Sequence, residues 1–83
     1  DRIFTVSVLL PDKPGELAAV SKLIAELQGN VIKLEHNQFV TTNRNVEVEL
    51  RITLEAFGTA HKNEIMDALA AGDYKPKIVR TSL

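Results

Sequence analysis

The chain has no cysteine and no tryptophan, and only one methionine, one tyrosine and two histidines. Without cysteine there are no disulfides, no thiolate metal sites and no cysteine nucleophile. Neither sign of charge is in excess. Ten Lys and Arg stand against eleven Asp and Glu, a net charge of -1. Nucleic-acid phosphates and anionic membrane surfaces demand clustered positive charge, so neither is an expected partner. No apolar run approaches the roughly 20 residues that span a bilayer, and no signal-peptide pattern opens the chain. A cytoplasmic location is the expectation. With four glycines, three prolines and 45% hydrophobic residues, the composition is that of an ordinary globular domain.

At 83 residues the chain holds one domain. A domain this short buries only about 60–65% of its unfolded surface, so its core is thin and dimerisation would extend it. Asp1 takes the place of an initiator Met, and Phe4 already belongs to an apolar pattern. The expectation is therefore a piece of a longer polypeptide, with residues 1–83 forming a single regulatory domain.

Along the chain, period two and period 3.6 alternate. From Ile3 to Leu10, Phe4, Val6, Val8 and Leu10 share one face and Thr5 and Ser7 the other, a half-buried strand. Pro11-Asp12-Lys13-Pro14-Gly15 stops it. Leu17, Val20, Ile24 and Leu27 then recur at helical spacing, with Pro14 suited to the first helical position and Glu16 to the positive end of the dipole. Gly29-Asn30 closes that helix. A second strand from Val31 to Val40 carries Ile32, Leu34, His36, Gln38 and Val40 on one side, with Val31, Lys33, Glu35, Asn37 and Phe39 on the other. The polar turn Thr41–Asn45 leads into the clearest strand. There Val46, Val48, Leu50, Ile52, Leu54 and Ala56 face one way, and Glu47, Glu49, Arg51, Thr53 and Glu55 the other. Thr59 can cap a helix from Ala60 to Ala71, with Ile65, Ala68 and Leu69 inward. A last strand runs from Tyr74 or Lys75 to Thr81, its Pro76 pointing to an edge position. The order βαββαβ in one short domain is that of an α+β, ferredoxin-like fold: a four-stranded antiparallel sheet with two helices on one face.

Catalytic chemistry is scarce. Glu35 and His36 are adjacent on a strand, so they face opposite sides and cannot chelate one metal or relay a proton. His36 reads as an edge or dimer-contact histidine. His61 reads as a half-exposed histidine stacking on its own helix, and no spacing joins the two. Glu47, Glu49 and Glu55 could suggest paired-carboxylate chemistry, but on one face of an antiparallel strand they read as its solvated side. No catalytic residue and no metal ligand is expected.

The loop Leu10-Pro11-Asp12-Lys13-Pro14-Gly15-Glu16 carries more. It is either a plain turn or a zwitterion site. The first N–H groups of the following helix are unpaired and partly positive, and Gly15 would let a carboxylate reach them. Asp12 could hold the neighbouring ammonium. Asn30 is either a helix cap or a bridge, since its amide donates to a carboxylate and accepts from an ammonium.

Asp12-Lys13-Pro14-Gly15-Glu16-Leu17, with Asn30 following in Gly29-Asn30-Val31-Ile32, resembles the ACT domain pattern. The resemblance implies a regulatory domain for a small effector, usually an amino acid. It implies that two copies pair with their sheets side by side, and that the ligand lies between the first strand–helix loop of one copy and the Asn30 region of its partner. The effector-binding residues it implies are Leu10, Asp12, Lys13, Pro14, Gly15, Glu16 and Asn30. Val46-Glu47-Val48-Glu49-Leu50, Thr53-Leu54-Glu55-Ala56-Phe57-Gly58, His61 and Glu64-Ile65 further resemble the single ACT tail of bacterial threonine dehydratases. That likeness implies a pyridoxal-phosphate catalytic domain elsewhere in the parent chain and no cofactor in this one. Its implied effector is an aliphatic amino acid such as isoleucine or valine. Serine-binding members carry asparagine at the Asp12 position and histidine at the Leu10 position, so serine is not expected here. Ala56-Phe57 replaces the commoner Thr-Arg of the dehydratase tails.

The same fold serves other functions. RNA binding needs stacking aromatics on an open face that here is acidic, and metal carriage needs the absent cysteines. An acylphosphatase needs an arginine by the first loop, where only Lys13 stands. The remaining alternative is an oligomerisation module that binds no ligand.

Overall fold

Alternation by two decides the sheet. The computed structural model describes residues 2–11, 14–40 and 46–81. The elements are β1 (Ile3–Pro11), α1 (Glu16–Glu26), β2 (Asn30–Val40), β3 (Val46–Glu55), α2 (Thr59–Ala71) and β4 (Lys77–Val79). The strands lie in the order β2-β3-β1-β4 and every neighbouring pair is antiparallel. This is the expected ferredoxin-like α+β arrangement. The polar turn Thr41–Asn45 lies outside the described residues.

Phe4, Val6, Val8 and Leu10 of β1 stand opposite Leu54, Ile52, Leu50 and Val48 of β3. Both rows are buried on one side of the sheet, where Val20 and Ile24 of α1 and Ile65 and Leu69 of α2 close over them. Each such side chain removed from water is worth about 1.5–3 kcal/mol, so this single layer carries most of the stability.

The helix ends depart from expectation. α1 begins at Glu16, so Pro14 is not its first residue. Gly15 precedes it as N-cap with φ 89° and ψ −14°, a left-handed conformation that a side chain resists. Leu17, expected in the buried stripe, is 41% exposed on the first turn. At the other end the left-handed residue is Gln28, with φ 62°, and not Gly29. The Gln28 N–H donates to the Ala25 carbonyl and the Gly29 N–H to the Ile24 carbonyl, both at 3.0 Å. Gly29 is needed for space. A Cβ there would stand 2.9 Å from Ile24 Cγ2 and 3.4 Å from Ile65 Cδ1. Thr59 is the first residue of α2 and does not cap it; Gly58 is the N-cap, without a side-chain bond. β4 is shorter than expected because Asp73 and Lys75 take positive φ values of 63° and 51°, which interrupts extended backbone. It is an edge strand, as Pro76 suggested.

The faces of β2 are also corrected. Val31 stands opposite Leu54 and Lys33 opposite Thr53, so Ile32 is the extra residue of a bulge. Val31 therefore joins Leu34 and His36 on the helix side. Val31, Ile32 and Leu34 are all 43–45% exposed, because β2 is an edge that neither helix covers.

The other side of the sheet is polar but not uniformly wet. Thr5, Ser7 and Thr53 are buried. The hydroxyls of Thr5 and Thr53 are 2.9 Å apart, and Thr5 also donates to Thr81 at 3.1 Å. Glu49 accepts from the Ser7 hydroxyl at 2.6 Å and from the Asn37 amide at 3.5 Å, and pairs with Arg51 at 3.3 Å. The Ser7 hydrogen bond, helped by Arg51 and opposed by partial desolvation, holds the Glu49 carboxyl below its ordinary value. Glu49 is thus a fixed member of a polar cluster and not a freely solvated carboxylate.

Candidate functional site

The strand–helix loop ends in an open helix N-terminus. Gly15 is exposed, nothing lies within 4 Å of where its Cβ would be, and its carbonyl accepts the first helical bond from the Ala19 N–H at 3.0 Å. The N–H groups of Glu16, Leu17 and Ala18 precede that bond and point out of the helix, and among the described residues no side chain caps them. Pro14 is exposed and Glu16 half-buried. Asp12 and Lys13 lie outside the described residues. Leu10 is 2% exposed and packs in the core, so it is no open wall for a ligand. Leu17 is the exposed aliphatic side chain beside Gly15.

Asn30 stands at the opposite end of the molecule. As the first residue of β2 it pairs with Glu55, which also pairs with Ile3 at the start of β1, whereas the loop follows Pro11 at the end of β1. The length of β1 at ~3.3 Å per residue separates them by roughly 26 Å. One copy of the chain does not bring the loop and Asn30 together.

Asn30 instead borders a cavity of about 380 Å³ lined by Arg2, Gln28, Asn30, Glu55, Ala56 and Phe57. Its Nδ2 donates to Glu55 Oε1 at 3.3 Å. The Ala56 N–H donates to the Arg2 carbonyl at 2.7 Å, which ties the first residues of the sheet to the end of β3. Phe57 is 67% exposed yet fixed. Its ring stacks on His61 at 4.8 Å between centroids, and its N–H donates to His61 Nδ1 at 2.9 Å. An accepting Nδ1 puts the ring hydrogen on Nε2, which donates to the Leu27 carbonyl at 2.6 Å. His61 therefore does more than stack on its own helix. It joins the end of α1 to the approach to α2. Among the described residues, no group of three or more His, Asp or Glu gathers as a metal-ligand set. His36 is exposed on the edge strand, opposite Leu50.

Sequence reasoning did not single out Arg2, Gln28 or Phe57, which line this cavity; its reading of Glu55 as solvated agrees with the exposed side chain. Phe57, a large ring flanked by Ala56 and Gly58 beyond the end of a strand, was the one visible signal.

Fold and site geometry describe a small ferredoxin-like α+β domain with an open helix N-terminus. The sequence matches the profile of the ACT domain over residues 4–71, and the chain belongs to that family. ACT domains are generally regulatory, amino-acid-binding and oligomeric. The fold is similar to the ACT domain from GTP pyrophosphokinase of Chlorobium tepidum, with TM-score 0.69, 13% identity and coverage of 95% of this chain and 99% of that one. A protein of unknown function from Galdieria sulphuraria gives TM-score 0.70 and 20% identity, with this chain spanning 47% of its length. Formyltetrahydrofolate deformylase from Burkholderia mallei gives TM-score 0.61 and 18% identity; 93% of this chain covers 26% of that one. No curated protein matches the sequence.

Proposed function

We propose that the chain is the effector-sensing domain of a threonine-dehydratase-like enzyme, binding a small aliphatic amino acid such as isoleucine or valine between two copies. The observation that carries this reading is the opposite-end placement of two half-sites: an uncapped helix N-terminus at Gly15 and the amide of Asn30. A twofold, antiparallel pairing of β2 edges reverses the second copy. Asn30 of one copy then comes to the same end as the loop of the other. At ~4.8 Å per strand, β1 and the partner's β2 are roughly 14 Å apart. Pairing through β4 would leave about 24 Å. The exposed apolar side chains Val31, Ile32 and Leu34 on β2 also favour that edge. Ile3, by contrast, is 41% exposed on the polar face, and the Phe39 side chain is not among those described.

In this site the effector carboxylate meets the amides after Gly15, Asp12 holds the ammonium, Asn30 of the partner bridges both, and Leu17 faces the aliphatic side chain. Lys13, Pro14 and Glu16 shape the loop. Pyridoxal phosphate and the catalytic lysine belong to a separate domain of the parent chain. Calorimetric titration of isoleucine and valine into the 83-residue chain tests the reading. Asn30→Ala removes a hydrogen bond to a charged group, worth roughly 1.5–3 kcal/mol, so affinity falls about ten- to a hundred-fold while the pair survives sedimentation. Equal binding by wild type and variant refutes the site. A stable pair that binds no amino acid at millimolar concentration establishes the oligomerisation module instead.

A further inference from the structure

We infer that the cavity at the Asn30 end of the sheet is a second amino-acid site, formed by one copy of the chain. In it Arg2 takes the carboxylate, Glu55 the ammonium, and Phe57 an apolar, preferably aromatic, side chain. It shares Asn30 with the site proposed between copies but does not depend on pairing or on the loop after β1.

Opposite charges border the same cavity. By strand parity Arg2 continues the Phe4 row on the helix side, and Glu55 lies on the polar side opposite Ile3, so the two enter the cavity from opposite faces of the sheet. Arg2 pairs with no carboxylate among the described residues. Its guanidinium can grip a carboxylate with two parallel hydrogen bonds. Glu55 has Oε1 on the Asn30 amide, which orients the carboxylate and leaves Oε2 for an incoming ammonium. A cavity of about 380 Å³ lies within the roughly 300–1,000 Å³ range of small-molecule sites.

The apolar wall is built in advance. Phe57 would be a loose surface ring if nothing fixed it. His61 holds it on both counts, through the stacked ring and through the backbone N–H, and is itself anchored to the Leu27 carbonyl. Gln28 follows Leu27 directly and forms another wall, so the same latch sets the width of the cavity. A ring offered flat to solvent beside two opposite charges suits an aromatic amino acid, whose own ring stacks while its head group spans Arg2 and Glu55.

Calorimetric titrations of L-phenylalanine, 3-phenylpropionate and 2-phenylethylamine into the 83-residue chain test the assignment. L-Phenylalanine should bind, and each analogue, lacking one head group, should bind roughly ten- to a hundred-fold more weakly. Arg2→Gln should lose affinity for L-phenylalanine but not for 2-phenylethylamine, which has no carboxylate to lose. Glu55→Gln should show the converse with 3-phenylpropionate. Leu34→Lys, which places a charge on the β2 edge, should leave L-phenylalanine binding intact even where it abolishes pairing and isoleucine binding. Failure of L-phenylalanine to bind at 10 mM overturns the assignment, as does unchanged affinity in both Arg2→Gln and Glu55→Gln. Loss of binding in Leu34→Lys alone would show that the cavity binds only within a pair. Because Arg2→Gln should not alter isoleucine binding at the loop, failure of either site leaves the other separately testable.

Discussion

Leu50→Ala is the sharpest test of which face of the sheet is the core. Leu50 is fully buried in the middle of β3, with Val8 of β1 on one side and His36 of β2 on the other. The substitution removes three carbons. At ~0.8 kcal/mol each their transfer is worth about 2.4 kcal/mol, and the cavity left behind adds to that, since Leu→Ala in cores costs about 2–5 kcal/mol. Two hydrogen-bonded strands flank the site and the helices cover it, so collapse is limited and a loss of about 3–4 kcal/mol is expected. Stability of ~0.05–0.15 kcal/mol per residue gives a chain of 83 residues about 4–12 kcal/mol in all. The variant is therefore marginal or unfolded. Urea denaturation followed by circular dichroism reads this directly: with a slope near ~1.5 kcal/mol per M, the midpoint falls by about 2 M. Glu49→Ala, one residue away on the other face, is the control. Alternation alone would place it among surface changes costing under about 0.5 kcal/mol. Its bonds to Ser7, Asn37 and Arg51 raise the expected loss to about 1 kcal/mol, part of it from leaving the buried Ser7 hydroxyl without its acceptor. Losses within about 0.5 kcal/mol of each other would refute the assignment of faces.

Glu49 also makes stability depend on pH. Its carboxyl is lowered in the folded state from an ordinary value of 4.5, so the contribution is present above that value and is lost as pH falls through the folded one. The stability difference between wild type and Glu49→Gln should therefore be constant near neutrality and shrink in acid; a difference that grows in acid reverses the sign and refutes the hydrogen-bonding account. His61 should show the Nε2–H tautomer in nitrogen-detected NMR, and His61→Phe should cost about 1–2 kcal/mol by leaving the Phe57 N–H and Leu27 carbonyl without their partner. An Nδ1–H tautomer would break that chain of bonds on paper. Gln28→Gly should stabilise the chain by about 0.5–1 kcal/mol, since glycine takes φ 62° without the strain of a side chain. Gly29→Ala, with 2.9 Å to Ile24 Cγ2, should destabilise it measurably in the same urea titrations.

Much of the fold was legible because its dominant signal is local. The core rows Phe4, Val6, Val8, Leu10 and Val48, Leu50, Ile52, Leu54 each span one strand, and a period of two fixes their faces without knowledge of the neighbours. The helix ends were harder. Gly29 looks like a left-handed stop because glycine usually fills that place, yet the chain uses Gln28 there and reserves Gly29 for the close approach to Ile24 and Ile65. That choice depends on how far Ile65 reaches across from α2, a tertiary distance that no local pattern contains. The polar face was misjudged for a related reason. Parity put Ser7 and Glu49 on one side, but only the pairing of β1 with β3 shows that a serine hydroxyl stands beside the carboxylate and holds it.

The candidate sites divide along the same line. The loop around Gly15 announces itself because a helix start, a glycine and flanking prolines are contiguous in sequence. The cavity does not, since its walls come from the first residues of β1, the cap of α1, the end of β3 and the approach to α2. The bulge at Ile32 shows how little sequence decides such an assembly. Val31 and Lys33 occupy neighbouring rungs of the ladder although Ile32 lies between them, so every side chain before the bulge changes face relative to a regular strand. Without it, strict alternation would carry Asn30 to the helix side. With it, Asn30 lies opposite Glu55 on the polar side and its amide reaches that carboxylate. By absorbing one extra residue in an edge strand, the bulge thus keeps the amide at the acidic wall of the cavity. Deleting Ile32 tests this: Val31 and Lys33 become consecutive residues on consecutive rungs and Asn30 stays opposite Glu55, so the variant should retain its core, because β2 adds no buried side chain among those described, together with the Asn30–Glu55 contact and binding of L-phenylalanine. A deletion variant that folds but no longer binds L-phenylalanine would refute this account of the register.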